Sequence, residues 1–414
     1  MFTARSGILP LAAAAAALLL AITMGSRAAF GLFVSPLNTA TGLGLITISL
    51  AGAMSQLAWG AAQPLVGALA ERAGSARVIA CGGLLLALGT ALVPFASSGP
   101  ALVLVFTLIA LAGAAAGSNG LLLGAVSRRV DESARGLVIG VVGAGGSAGQ
   151  LVLGPGVQGL IDAAGWTTAM FALAALALLA VPLALAFREG GARAAAATGG
   201  TTQRPALRSA LTSPAFRYIA AGFFVCGFHV AFLLAHMPGQ IALCGLPASL
   251  AGEWLAVLGV CNVAGSLAAG AAIRRGSMRR ALIVLYLLRA LGVGLFLMLP
   301  VSTATLLGFA AWMGLTYMAT LPPTAGLIGS LFGTQRMATL LGVVMFVHQL
   351  GAFLGVWLGG IAMQLQGSYA WVWTADIVLA VLAAAIHLPL RERPDGAPQV
   401  AAVVPAPALR PQAA

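Results

Sequence analysis

A single arginine, Arg27, interrupts a long apolar run in the stretch ITMGSRAAFGLF at residues 22–33. The run from 8 to 37 is long enough to cross a lipid bilayer, which takes about 20 apolar residues. Arg27 lies about 15 Å inward from Leu37 at the rise of an α-helix, too deep for its side chain to reach the interface easily. A guanidinium in such a place binds an anion well, because its planar fork contacts a carboxylate at two points. The alternative is that Arg27 hydrogen-bonds to helix carbonyls or extends towards Asn38.

Other polar side chains also fall within apolar runs. His229 and His236 are seven residues apart and so share one face of a helix. They could bind a small molecule or carry a proton, because histidine titrates near neutral pH. They could equally be hydrogen-bonded packing residues. The remaining candidates for ligand contact are Asn119, Tyr317, His348 and Gln349.

The composition assigns these residues to a membrane protein. Hydrophobic residues make up 60% of the 414 residues and charged residues only 7%, unlike the balance of a water-soluble chain. The net charge of +12 comes from arginines between the apolar segments, which favours membrane orientation over a nucleic-acid partner. The four cysteines have no metal-ligand spacing, and no nucleophile or phosphate-loop motif is present. We therefore predict neither an enzyme nor a metal or cofactor site.

The apolar runs predict an all-α membrane protein with twelve transmembrane helices, spans 1 to 12. They cover 8–37, 43–70, 77–96, 100–127, 135–161, 166–187, 215–243, 248–273, 281–300, 303–331, 336–365 and 369–390. Their connections alternate between arginine-rich and arginine-free, which predicts cytoplasmic N- and C-termini. A polar stretch divides the chain into an N-terminal six-helix bundle (1–187), a cytoplasmic linker (188–213) and a C-terminal six-helix bundle (214–393). A Pro/Ala-rich tail, 394–414, is predicted to be disordered.

The two halves repeat one another in sequence. GALAERAGSAR follows span 2, and the similar stretch GAAIRRGSMRR follows span 8. In the same register, Arg135 and Gly154 of span 5 correspond to Arg336 and Gly355 of span 11. A repeat of six helices is typical of transporters that bind their substrate near the bilayer midplane, between the halves.

Together these features resemble the major facilitator superfamily over nearly the whole chain. GALAERAGSAR is similar to that family's loop signature between spans 2 and 3, with Gly67, Arg72, Gly74 and Arg77 matched and Glu71 where an Asp is usual. The resemblance implies that this loop is a gating latch whose acid and arginines pair with helix ends as the halves rock. The alternative is that the two arginines only orient the chain in the membrane.

Within the superfamily, the chain resembles the monocarboxylate and oxalate/formate porter branch. RGLVIGVVGAG is similar to that branch's entry to span 5 through Arg135, Gly140 and Gly145. A basic residue followed by aromatic residues in span 1, as Arg27 is followed by Phe30, also fits the branch. The resemblance implies a pseudo-symmetric pair of six-helix bundles and a small organic anion as substrate.

The chain departs from this branch in span 8. Eukaryotic members have an acid and, four residues on, an arginine there, which handle the proton and the carboxylate. This sequence has Asn262 and Ser266 at those positions, so that proton-coupling site is missing. In span 5, Gly154 and Pro155 resemble part of the glycine-proline signature of drug/proton antiporters, but its terminal glycine pair is absent.

The resemblance also suggests partners for the charges in the spans. In the facilitator fold span 1 lines the cavity and spans 9 and 12 are peripheral, so Asp376 of span 12 is a poor partner for Arg27. An anionic substrate is then the expected counter-charge. Arg289 of span 9 and Asp376 are predicted to form a buried structural ion pair, because either charge alone within a span is costly.

The preferred interpretation is a secondary active transporter that moves a monocarboxylate-like organic anion by alternating access, by anion exchange or with protons. The runner-up is proton-coupled efflux of drugs or other apolar or cationic compounds. It predicts an acid in the membrane-embedded cavity of the N-terminal half, and none is visible there. The expected partners are the anion, the lipid bilayer, and protons or a counter-anion. We expect a monomer in a bacterial inner membrane.

Overall fold

A computed structural model describes residues 8–127, 132–188, 209–273 and 276–392. Within these ranges the chain is helical and contains no strand, and eleven apolar segments are long enough to cross a membrane. One of them, Gly140–Phe187, has 48 residues and is broken at Gly165, where φ is 83°. It can therefore cross twice, which gives the twelve predicted spans. Most of the predicted linker (189–208) and the predicted tail (394–414) lie outside the described residues.

The N-terminal half contains spans 1 to 6. Span 1 is two helices, Ile8–Ala28 and Phe30–Thr41, and span 2 is one helix, Leu45–Ala73. Span 3 is Ser75–Leu92, and span 4 is again two helices, Gly99–Gly117 and Asn119–Ser127. Spans 5 and 6 lie before and after Gly165 in the helical segment Glu132–Ala177, and two short turns, Ala180–Leu183 and Ala184–Phe187, complete span 6.

The C-terminal half contains spans 7 to 12. Spans 7, 8 and 9 are Pro214–Leu243, Ser249–Ile273 and Met278–Met298. Span 10 is two helices, Thr303–Tyr317 and Leu321–Phe332, while spans 11 and 12 are Thr334–Gln366 and Ala370–His387. Serine side chains cap several of these helices by accepting a hydrogen bond from the backbone N–H three residues later, which satisfies an otherwise unpaired donor. The capping residues are Ser98, Ser213, Ser277 and Ser302.

Spans 1 and 5 approach each other at two glycines. A Cβ added to Gly145 would lie 2.2 Å from the carbonyl oxygen of Ala17, and one added to Gly149 would lie 2.1 Å from that of Ala21. These distances are far below van der Waals contact, so only a hydrogen atom fits at either position. Small residues allow this close packing of helix backbones within a membrane.

Spans 7 and 11 repeat this arrangement in the C-terminal half. A Cβ on Gly351 would lie 1.9 Å from the carbonyl oxygen of Phe224, and one on Gly355 would lie 2.3 Å from that of Phe228. By packing, therefore, Gly355 is the counterpart of Gly149.

The predicted register of the repeat in these spans was wrong by five residues. It paired Gly154 with Gly355, but Gly154 packs against Leu255 of span 8, in the other half. Its counterpart by packing is Gly360, which touches Ser49 of span 2, also across the halves. The chain has 54 glycines, so sequence alone allows several alignments, and only the neighbouring helix decides among them.

The two halves touch through spans 5 and 8 and through spans 2 and 11. The face of span 5 that contacts span 8 includes Gln158 and Ser147. The next residues on that face, Gly143 and Gly140, have no atom within 4 Å of an added Cβ. Spans 5 and 8 therefore separate towards the end of the molecule that carries the arginine-rich connections.

Spans 2 and 11 separate in the same direction. Gly360 contacts Ser49 near the arginine-free end, and Gly60 contacts Gln349 near the middle. Beyond that point Gly67 of span 2 has no atom within 4 Å of an added Cβ. The halves are thus closed at the arginine-free end and open at the other.

Candidate functional site

Arg27 lies at the end of the first helix of span 1, and its side chain is half-buried. Its Nη2 donates a hydrogen bond to Oε1 of Gln56 in span 2, and its guanidinium stacks on the ring of Trp59, 4.4 Å from the centroid. Gln56 and Trp59 are one helical turn apart and so share a face of span 2. Among the described residues, no acid contacts the guanidinium and no other group accepts a hydrogen bond from it. One N–H group of the guanidinium is therefore bonded to Gln56, and the other N–H groups can donate to a ligand.

The C-terminal half faces Arg27 with Tyr317, the last residue of the first helix of span 10. Tyr317 is buried, and its side chain interacts electrostatically with that of Arg27. Tyr317 also contacts Gln150 of span 5 through its side chain. The Oε1 atom of Gln150 is buried and has no hydrogen-bond partner among the described residues. Spans 1, 2, 5 and 10 thus bring a cation, a phenol and an unsatisfied amide together.

Asn262 joins the halves beside this cluster. Its Nδ2 donates to Oγ of Ser147 in span 5 at 3.0 Å, and its Oδ1 accepts from the backbone N–H of Met318 at 3.1 Å. Met318 begins the break in span 10, directly after Tyr317. Asn262 therefore binds the broken helix of span 10. It occupies the position at which the eukaryotic members of the monocarboxylate branch, which this chain resembles, have an acid. Ser266 donates to the same Oδ1 atom at 3.5 Å.

The structure brings together only part of the predicted ligand-binding set. Arg27 and Tyr317 interact, and Gln349 lies against Gly60, one residue from Trp59. Asn119 is exposed at the start of the second helix of span 4 and takes no part in this cluster. The predictions missed Trp59, Ser147 and Gln150.

A sequence signal for the missed residues exists. Trp59 follows Gln56 by one helical turn, and Ser147 and Gln150 lie between Gly143 and Gly154 on the face of span 5 that meets span 8. Polar side chains among glycines on one helix face indicate an interface, where such groups find partners.

The predicted histidines lie inside the C-terminal half. His236 donates from Nε2 to the carbonyl oxygen of Val356 at 2.7 Å, which matches the alternative of a hydrogen-bonded packing residue. His348 packs beside Phe223, with ring centroids 5.0 Å apart, and its Nδ1 is buried without a partner. The structure does not bring His229, His236 or His348 into contact with Arg27.

The predicted ion pair between Arg289 and Asp376 was wrong, because each charge has a closer partner. Asp376 Oδ2 lies 2.6 Å from Nδ1 of His229, and both side chains are buried. Arg289 Nη2 donates to the carbonyl oxygens of Thr316 and Tyr317, both at 2.6 Å. These carbonyls lie at the end of a helix, where no N–H of the next turn reaches them.

The predicted gating residues lie at the open end. Gly67 is in the last turns of span 2, and Gly74, with φ at 89°, separates spans 2 and 3. Glu71, Arg72 and Arg77 are exposed, and their side chains form no ion pair or hydrogen bond within the described part of the chain. The latch therefore stays a prediction.

The predicted motif of span 5 consists mainly of packing residues. Gly145 meets span 1 and Gly154 meets span 8, whereas Gly140 faces open space. Pro155 stays inside the helix and contacts Gly252 of span 8. The side chain of Arg135 lies outside the described residues.

A separate groove of about 490 Å³ lies on another face, between spans 7, 11 and 12. Its lining is apolar apart from Arg217, and it contains none of the predicted ligand-binding residues. The cluster around Arg27 is therefore the better candidate for the functional site.

Twelve helical spans in two repeated halves, closed at one end around a central polar cluster, are the architecture of membrane transporters built from parallel repeats. A family model described as Major Facilitator Superfamily matches residues 16–356. The chain belongs to this superfamily, which is a family of membrane transporters and not of enzymes.

Within the superfamily, the chain is similar to monocarboxylate transporters. Monocarboxylate transporter 13 of Rattus norvegicus is 29% identical over 326 residues, which are 77% of this chain and 72% of that protein. Monocarboxylate transporter 11 of Mus musculus is 29% identical over 324 residues, 75% of this chain and 71% of that protein. The resemblance to the monocarboxylate branch is thereby confirmed.

The fold is that of solved transporters. A D-xylose-proton symporter has a TM-score of 0.75 at 14% identity, covering 92% of this chain and 98% of that one. A bacterial homolog of the human lysosomal transporter Spinster, in an inward-facing and unoccupied conformation, has a TM-score of 0.72 at 15% identity, covering 93% and 97%. The protein is a multi-pass membrane protein of this fold.

Proposed function

We propose that this protein is a secondary transporter that moves a small, monocarboxylate-like organic anion by alternating access. The observation that supports this most directly is the half-buried guanidinium of Arg27, held by Gln56 and Trp59 with no acidic partner among the described residues. A cation within a membrane span is costly unless a counter-charge or water reaches it. A substrate carboxylate supplies that charge at the free edge of the fork. The monocarboxylate transporters among the similar proteins support the same substrate class.

The position of the cluster suits alternating access. It takes side chains from both halves, with Arg27 and Gln150 on one side and Tyr317 and Asn262 on the other. A substrate bound there would contact both halves and favour their closure around it. Glu71 and Arg72 at the open end are then available to pair as the gate closes, as the family's loop signature suggests.

The alternative of cationic drug efflux has less support. Such a transporter needs an acid in the cavity to bind the cation or the proton. Glu71 and Asp162, the acids of the N-terminal half whose side chains the structure describes, are exposed. Arg27 would also repel a cationic compound.

The test is ligand-induced thermal stabilisation of detergent-purified protein against a panel of mono- and dicarboxylates. We expect at least one carboxylate to stabilise the wild type by mass action and to have no effect on Arg27→Gln. Arg217→Gln is the matched control, since Arg217 is an exposed arginine of the separate groove. If no carboxylate stabilises the wild type, or if Arg27→Gln responds as the wild type does, the proposal fails.

A further inference from the structure

The buried pair His229–Asp376 lies outside the cluster around Arg27. His229 Nδ1 lies 2.6 Å from Asp376 Oδ2 across spans 7 and 12, and both side chains are about 1% exposed. Asp376 is the only buried acid among the side chains that the structure describes. The other two polar atoms of the pair, His229 Nε2 and Asp376 Oδ1, are also buried and have no hydrogen-bond partner in the part of the chain that the structure describes. A buried polar atom left without a partner is costly and calls for an explanation.

The unpaired Nε2 atom of His229 can bind a proton. In the neutral form His229 donates from Nδ1 to the carboxylate, and Nε2 carries a lone pair without a donor. When a proton binds Nε2, the ring becomes an imidazolium that still donates from Nδ1 to Asp376, so no existing contact is broken. The carboxylate stabilises the charged ring.

The groups around the pair set its charge balance. Arg289 of span 9 lies close enough to Asp376 for their charges to interact, and its Nε and Nη1 atoms are buried without a partner. Arg289 and Asp376 carry opposite charges, and a proton bound by His229 adds one positive charge to this group. Cys226 of span 7, Tyr286 of span 9 and Tyr317 of span 10 also interact electrostatically with Arg289. His348 of span 11 lies beside Cys226, and His387 stacks on Tyr286.

Arg289 links this pair to the cluster around Arg27. Its guanidinium holds the carbonyl oxygens of Thr316 and Tyr317 at the break in span 10, and the side chain of Tyr317 interacts with that of Arg27 on the other side of the same helix. Cys226 contacts the break as well, with Sγ 3.4 Å from Oγ1 of Thr320. The break in span 10 therefore lies between the two clusters.

We propose that the His229–Asp376 pair binds one proton for each anion transported, and that Arg289 and the break in span 10 couple it to the anion site. This inference rests on the proposed function. The negative charge of the anion at Arg27 offsets the positive charge added at His229, so each favours binding of the other by the same factor. The proton enters from water and leaves to water on the opposite side, and a monocarboxylate would then be carried without net charge.

The first test needs no substrate. The chain has four histidines, so nuclear magnetic resonance of ¹⁵N-histidine-labelled protein in lipid can follow each ring, with His229 identified from its missing signal in His229→Gln. The proposal requires that the ring of His229 bind a proton on acidification, which spectra recorded between about pH 5 and pH 8 would show. Asp376→Asn should lower its titration midpoint by about one pH unit or more, a tenfold loss of proton affinity. Asp376→Glu, which keeps the charge, should retain most of that affinity.

The second test addresses the coupling. Arg27→Gln removes a positive charge from the anion site and should raise the titration midpoint of His229, while Arg217→Gln should leave it unchanged. Unaltered signals of His236 and His348 in each variant show that the C-terminal half is folded. The proposal is overturned if His229 keeps one protonation state across this range, if Asp376→Asn titrates as the wild type does, or if Arg27→Gln has no effect. A failed carboxylate panel would count against the proposed function, whatever the titration shows.

Discussion

Two different contacts hold the side chain of Arg27. Trp59 fixes the plane of the guanidinium by stacking, and Gln56 takes one of its N–H groups. Stacking and a fixed fork are properties of arginine that lysine does not share. The two contacts therefore fix the orientation of the guanidinium before a substrate binds to it.

Arg27→Lys should weaken carboxylate binding about tenfold, and Arg27→Gln about a hundredfold or more. Lysine keeps the charge but loses the fork and the stacking, and a hydrogen bond to a charged group contributes about 1.5–3 kcal/mol. Isothermal titration calorimetry with a carboxylate that stabilises the wild type measures both. Equal affinity of the lysine variant and the wild type would show that the charge alone is recognised.

Tyr317→Phe should lower the free energy of unfolding by about 1–2 kcal/mol. The hydroxyl is buried, and its removal leaves the side chain of Gln150 without that contact. Thermal denaturation in detergent measures the change. Tyr218→Phe is the control, since Tyr218 is only partly buried and forms no side-chain hydrogen bond among the described residues. Equal melting temperatures for the two variants would contradict this account of Tyr317.

Several transmembrane spans are interrupted by breaks in their helices. Span 4 is interrupted at Ser118 and the equivalent span 10 at 318–320. Span 1 is also interrupted, at Ala29, whereas its counterpart, span 7, is one continuous helix. In span 10 the break exposes carbonyl oxygens that Arg289 can bind and an N–H that Asn262 can bind. Pro155 and Pro238, in contrast, stay inside helices that continue past them.

Gly149→Ala should destabilise the protein by about 1–3 kcal/mol or prevent its folding. The added methyl group would lie 2.1 Å from a backbone oxygen of span 1, which cannot move without separating the helices. Gly156→Ala is the matched control, because Gly156 is in the same span and has no neighbour within 4 Å. Its stability should be unchanged or slightly higher. Yield and melting temperature after purification compare the two, and similar values would contradict the tight contact between spans 1 and 5.

The whole molecule has one closed and one open end. Spans 5 and 8 and spans 2 and 11 touch from the middle to the arginine-free end, and towards the arginine-rich end they part. These contacts close the route to the central cluster from the arginine-free end. If the arginine-rich end is cytoplasmic, as the positive-inside rule predicts, this conformation faces inward.

A cysteine at Gly143 should react with a membrane-impermeant maleimide at least about tenfold faster than one at Ser147. Both lie on the same face of span 5, but Gly143 faces open space and Ser147 is bonded to Asn262 of span 8. Thiol chemistry needs water, where the thiolate can form. Labelling of sealed vesicles from each side, after subtraction of the wild-type background, measures the rates. Equal rates would mean that the halves do not separate at Gly143.

The local pattern of the sequence determined the spans, the repeat of the two halves and the position of Arg27 within an apolar span without a neighbouring acid. Apolar length and the scarcity of charges suffice for this, because a bilayer imposes the same requirement on every span. The loop signature at Gly67 and Gly74 was similarly local, and it pointed to the correct superfamily.

Only the tertiary structure decided which partners meet. Asp376 pairs with His229 and not with Arg289, and Arg27 is held by Gln56 and Trp59. Such pairings depend on the rotation and depth of each helix against its neighbours, and those are set by close backbone contacts. The sequence does not encode them locally, because polar residues and glycines occur in many registers within apolar helices, and only one set of helix contacts satisfies them together.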